Sequence, residues 1–158
     1  MSAIVAHRGL HVSERENTVA AFKAAVELGV DGVELDVRRT RDRVLVVHHD
    51  PRAAGLVIAE STASQLPDYV PTLDEALDAL GGVAVNVEIK NIQHPNEPSY
   101  DATGAFARDV VTHVRSNHWT ESVIISCFDI ATCAVVRSFD HDIKVGCSCG
   151  SMRCPKRC

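Results

Sequence analysis

Glu34 and Asp36 lie one residue apart in the run Gly32-Val33-Glu34-Leu35-Asp36-Val37. In a strand, residues i and i+2 share a face. Val33, Leu35 and Val37 would then pack on one side, with two carboxylates together on the other. Like charges at that spacing raise each other's pKa unless something positive lies between them. A hard divalent cation with oxygen ligands is the natural partner. A lone E-x-D also fits an edge strand whose acids face water, so the neighbouring elements must decide. Val87-Glu88-Ile89-Lys90 repeats the i, i+2 spacing and offers a third carboxylate, Glu88, with Lys90 beside it. His7-Arg8 follows the apolar run Ile4-Val5-Ala6, and His49 follows Val44-Leu45-Val46-Val47. Two histidines can move protons near neutral pH. Arg8 and Lys90 can hold a phosphate, the first through a fork of N–H donors and the second as a point charge. Three carboxylates, two cations and two imidazoles suit metal-assisted phosphoryl transfer.

The elements that must carry these groups alternate. Strands are expected at 4–7, 33–37, 44–47, 83–89, 123–125 and 143–146. Helices are expected at 18–28, 72–80, 102–116 and 130–138. Gly29 is a stop for the first helix, and Thr72 with Glu75 forms a capping box for the second. The stretch 52–71 reads as turn-rich. Strand–helix alternation with continuous Val/Ile runs argues a parallel sheet buried on both faces. Each candidate group falls at the C-terminal end of a strand, the end that carries the site in such sheets. No glycine-rich phosphate loop follows the first strand, which argues against a dinucleotide site. His48 is expected to point away from His49 and to be structural. His11, His94, His113, His118 and His141 read as solvated or locally bonded.

The chain has 158 residues and a net charge of −5. That suits one domain and gives no nucleic-acid surface. No apolar run reaches membrane-spanning length. The N-terminus lacks the regions of a signal peptide, so a cytoplasmic location is expected. Of six cysteines, Cys127 and Cys133 read as small buried hydrophobes. Cys147, Cys149, Cys154 and Cys158 crowd the tail, residues 147–158, in the spacing C-x-C-x₄-C-x₃-C. This is not a paired zinc knuckle, though four thiolates are a zinc-binding possibility. The tail reads as no domain, with a truncated or frame-shifted gene as its simplest origin.

The motifs in order resemble the glycerophosphodiester phosphodiesterase family. The matching segments begin with Ala6-His7-Arg8-Gly9, Glu16-Asn17-Thr18, Gly32–Val37 and Thr40 with Asp42. They continue with Val47-His48-His49-Asp50-Pro51, Val70-Pro71-Thr72-Leu73, Val87-Glu88-Ile89-Lys90 and Ser126-Cys127-Phe128-Asp129. The resemblance implies a TIM-type (β/α) barrel over residues 1–146 that hydrolyses glycerophosphodiesters to glycerol 3-phosphate and an alcohol. It implies Glu34, Asp36 and Glu88 as ligands of Ca²⁺ or Mg²⁺, and His7 and His49 as the acid/base pair. Arg8 and Lys90 would contact the phosphate, and Glu16 and Asn17 would support the first loop. Three features depart from the family pattern. Arg15 stands where proline is usual before Glu-Asn-Thr. The 52–69 stretch is short. About six strands are counted, where a TIM barrel has eight in about 250 residues. A sphingomyelinase D-like phospholipase shares the same logic, and an incomplete barrel that retains the residues without turnover is the non-enzyme alternative.

Overall fold

The computed structural model describes residues 3–148. Five strands run parallel in one sheet: β1 (Val5–His7), β2 (Gly32–Arg39), β6 (Ala84–Ile89), β7 (Val123–Cys127) and β8 (Lys144–Cys147), in the spatial order β1-β2-β6-β7-β8. The order never reverses. It is therefore the wall of a barrel rather than a doubly wound sheet, which has a switch point where strand order turns back. Helices α1 (Val19–Leu28), α2 (Leu73–Leu80), α3 (Ala105–Ser116) and α4 (Ile130–Phe139) follow the strands and cover one face. The TIM-type α/β architecture expected from the motifs is thus present as an open wall.

The direction of one strand differs from expectation. β3 (Leu45–Val47) runs antiparallel to β2, with Val37 opposite Val47 and Arg39 opposite Leu45. Its physical cause is loop length. Only residues 40–44 separate the two strands, and a parallel return needs a crossover of about a dozen residues or more. The turn is tied by Thr40, whose Oγ1 donates to Asp42 Oδ1 at 2.6 Å and accepts from Val44 N at 2.9 Å. Val37 pairs with Ile89 on its other edge, so β3 occupies the same edge of β2 that β1 uses at Gly32–Glu34. The turn-rich stretch after it holds a small hairpin, β4 (Arg52–Ala53) with β5 (Leu56–Val57), and two 3₁₀ turns.

The alternation along the strands divides the sheet faces. Val33, Leu35, Val37, Val85, Val87, Ile89, Val123 and Ile125 are buried beneath Phe22 of α1, Leu73, Leu77 and Leu80 of α2, Phe106, Val110 and Val114 of α3, and Val136 of α4. Helix ends follow the expected chemistry. Thr18 caps α1 by accepting from Ala21 N, Gly29 ends it in the left-handed region, and the Thr72–Glu75 capping box opens α2. α3 begins three residues later than the spacing suggests, because Asp101 takes the Phe106 N–H at 2.6 Å and Gly104 turns through φ 72°. Cys127 and Cys133 are buried free thiols, as read from sequence. Of the cysteine tail, only residues 147 and 148 fall within the described region. Among the described residues no helix is long and apolar enough to cross a membrane.

Candidate metal and phosphate site

Opposite the helix layer, the sheet presents polar residues. Adjacent parallel registers set Glu34 beside Asn86 and Asp36 beside Glu88 on β2 and β6. They set Glu88 beside Ser126 on β7, and His7 beside Glu34 on β1. Glu34, Asp36 and Glu88 each offer an oxygen within 4.8 Å of the others, and all three residues are buried. Two side-chain cations pair with Asp36 and Glu88 of this trio. Lys90 Nζ lies 2.7 Å from Glu88 Oε1 and 3.3 Å from Asp36 Oδ1, and Arg8 Nε lies 3.2 Å from Asp36 Oδ2.

The loop after β1 is shaped to deliver Arg8. Arg8 and Gly9 both take positive φ, 59° and 82°, and a Cβ on Gly9 would meet the Ala21 backbone at 2.9 Å. Only glycine fits so close to α1. Arg8 then donates its backbone N–H to Glu34 Oε2 at 3.2 Å and its Nη1 to Glu16 at 3.0 and 3.2 Å. Asn17, buried and at φ 55°, donates Nδ2 to Asp36 Oδ2 at 2.7 Å and accepts from Asp36 N at 3.3 Å. Helix capping falls to Thr18. Asn17 thereby fixes the orientation of the most buried carboxylate of the trio.

The two histidines come from different elements: His7 ends β1 and His49 follows β3. His7 is largely exposed, with Nε2 3.6 Å from Glu34 Oε2. His49 holds Asp50 Oδ1 through Nδ1 at 2.8 Å, which leaves Nε2 as the nitrogen for a ligand. His49, Lys90, Arg38 and Glu97 line a shared recess of about 330 Å³. His48 turns elsewhere, within 3.2 Å of Arg52 O and tilted against Tyr69, and burial pushes its pKa down.

The electrostatics of the trio favour a cation. Burial first, then the charges of Asp36 and Glu88, push the Glu34 carboxyl up to about 7. Glu34 Oε1 is buried without a hydrogen-bond partner, as are Asn86 Oδ1 and Ser126 Oγ from the adjoining register positions. Counting Glu16, four carboxylates face two cations, Arg8 and Lys90. Fully ionised, the cluster lacks two positive charges, which one divalent ion supplies. Hard oxygen donors, an orphaned carboxylate oxygen and that charge deficit all fit Ca²⁺ or Mg²⁺.

The raised Glu34 pKa has a consequence for stability. Without metal, the folded protein keeps a proton that the unfolded chain releases near 4.5. The contribution of this group is therefore present below about pH 4.5 and lost as pH rises through about 7. The total is on the order of 3 kcal/mol. Divalent cation should reverse the loss. At pH 8, Ca²⁺ at about 100 times its Kd should add about 2.7 kcal/mol, or roughly 5–10 °C in Tm, with a much smaller shift at pH 5. Thermal unfolding with Ca²⁺ and with chelator at the two pH values checks this.

Sequence reasoning passed over Arg38, Asn86 and Glu97. Arg38 was detectable, because it continues the phase of Glu34 and Asp36 along β2. Glu97 lies in a polar loop with no periodicity, and no local signal marks it.

Comparison with known proteins agrees with this geometry. The profile of the Glycerophosphoryl diester phosphodiesterase family matches residues 7–151. A glycerophosphodiester phosphodiesterase of Caldanaerobacter subterraneus is 31% identical over 90% of this chain and 65% of its own. The crystal structure of a glycerophosphodiester phosphodiesterase from Parabacteroides distasonis superimposes with a TM-score of 0.80 at 25% identity, covering 92% of this chain and 64% of that one. One from Thermotoga maritima gives a TM-score of 0.73 at 30% identity, covering 93% and 62%. The chain thus spans a little under two thirds of the length of these relatives. With the motifs in order, the carboxylate trio assembled and the barrel wall matched, the chain belongs to the glycerophosphoryl diester phosphodiesterase family.

Proposed function

We propose that this protein hydrolyses glycerophosphodiesters to glycerol 3-phosphate and an alcohol, in the cytoplasm, with Ca²⁺ or Mg²⁺ as cofactor. The observation that carries the proposal is the buried Glu34–Asp36–Glu88 trio, flanked on one sheet face by Arg8, Lys90 and His7. Glu34, Asp36 and Glu88 would hold the ion, which supplies positive charge to polarise the phosphoryl oxygens. Arg8 and Lys90 now share the carboxylates. Each has N–H donors to spare for phosphate oxygens once those carboxylates are neutralised. Asn17 and Glu16 keep Asp36 and Arg8 in place. His7 and His49 carry the protons. One takes a proton as oxygen attacks phosphorus, and the other supplies one to the departing alkoxide as its P–O bond breaks, so that with one water consumed overall the alcohol leaves neutral. The partner is thus a small molecule rather than nucleic acid, and the names of the relatives support glycerophosphodiesters over sphingomyelin.

The test is release of glycerol 3-phosphate from glycerophosphocholine by the purified 158-residue chain, with Ca²⁺ or Mg²⁺ and then with chelator. Turnover that chelator abolishes is the expected result. A folded, metal-responsive protein without turnover would instead assign this chain binding without catalysis.

A further inference from the structure

Arg38 continues the site-facing phase of β2, two residues beyond Asp36, yet pairs with none of the three carboxylates. It is buried, at 3% exposure. Nε and Nη2 both donate to the His49 carbonyl oxygen, at 2.9 and 2.6 Å. Nη1 and Nη2 donate to the two carboxylate oxygens of Glu97, each at 3.0 Å, and Nη1 reaches Ser99 Oγ at 3.3 Å. Ser99 Oγ in turn donates to Glu97. Burial opposes ionisation of Glu97, but the hydrogen bonds from Arg38 and Ser99 outweigh it and hold the carboxyl below its ordinary range. One planar guanidinium thus joins the end of β2, the loop after β3 and the loop after β6.

We propose that Arg38, braced by Glu97, is a positioning residue that sets the location of His49 in the recess it shares with Lys90. The inference rests on the reading of His49 as a proton carrier. Two N–H groups converging on one carbonyl fix both its distance and its direction, and so the start of the His49 side chain. Asp50 Oδ1 then sets the ring through Nδ1. The geometry requires a fork. A lysine ammonium at this position keeps the charge but cannot serve the carbonyl and both Glu97 oxygens in one plane. Displacement of a catalytic group by about 1 Å costs on the order of 100-fold in rate.

The experiment compares Arg38→Lys in the wild-type and His49→Ala backgrounds, with Glu97→Gln as the second variant should Arg38→Lys not fold. Rates on glycerophosphocholine are read at saturating Ca²⁺, with the Ca²⁺-induced Tm shift as a control. Arg38→Lys should lower kcat about 100-fold, with a much smaller change in KM and an unaltered Ca²⁺ response. In the His49→Ala background it should cost almost nothing further, because the group it positions is gone. An equal fractional loss in both backgrounds overturns the proposal and leaves Arg38 a purely structural ion pair. If the wild-type chain has no turnover, the hydrolase reading fails by itself and imidazole NMR decides the role of Arg38. Arg38→Lys should move the His49 ring signals, identified by their loss in His49→Ala, and leave those of His7 in place. Unmoved His49 signals overturn the proposal.

Discussion

Glu34→Gln should stabilise the metal-free protein above neutral pH and at the same time remove its response to divalent cations. Both effects come from one atom pair. Glu34 is buried beside two other carboxylates, its Oε1 has no partner, and its carboxyl is pushed up to about 7, first by burial and then by Asp36 and Glu88. A glutamine has the same shape and no charge to desolvate, and its oxygen still accepts from Arg8 N, which the carboxylate meets at 3.2 Å. At pH 8 the gain should approach the order of 3 kcal/mol that ionised Glu34 costs. Well below pH 4.5 the two proteins should unfold together, because both side chains are then neutral in the folded and the unfolded chain. The pH dependence in the wild type and its flattening in Glu34→Gln are the signature, read by denaturant unfolding in chelator. Cation binding and metal-dependent turnover should fall together, since one of the three oxygen donors proposed for the ion has lost its charge. A variant that is less stable than wild type at pH 8 without metal would contradict the like-charge account of this cluster.

His49→Ala should reduce turnover by about 10²–10⁴-fold, the range removed with a general acid or base. It should leave folding and the Ca²⁺-induced Tm shift close to wild type. The side chain is 36% exposed and its hydrogen bond goes to exposed Asp50, so truncation orphans little. It also lies outside the carboxylate trio. The hydrogen bond from His49 is the leading reason the Asp50 carboxyl lies below its ordinary range, and its loss leaves an ordinary exposed carboxylate that is still ionised at neutral pH. The comparison of kcat at saturating Ca²⁺ with the unfolding curve separates chemistry from stability. If His49→Ala retained most of the turnover, the proton transfer would have to be assigned away from this loop.

Local periodicity accounts for how far residue order alone led here. A two-residue strand period acts over neighbouring residues, so Glu34 and Asp36 had to share a face. The same rule placed Glu88 with Lys90 and could have flagged Arg38. The capping box at Thr72 and the stop at Gly29 are equally local and stand in the structure as expected. The antiparallel turn of β3 was also within reach, because the five-residue interval 40–44 is too short for a crossover.

The remaining features depend on contacts between distant segments. The Asn17 amide is spent on Asp36, 19 residues away. Arg38 meets Glu97 across 59 residues, and no pattern within either segment foretells the other. The raised Glu34 pKa likewise has no counterpart in residue order. It arises when parallel pairing of β2 with β6 sets Glu88 opposite Asp36 and the fold withdraws all three carboxylates from water. Side-chain type and strand phase therefore named the three carboxylates that the fold gathers within 4.8 Å of one another. Burial and long-range packing, which act only once the chain is folded, settled how strongly they repel one another and joined Arg38 to the His49 carbonyl.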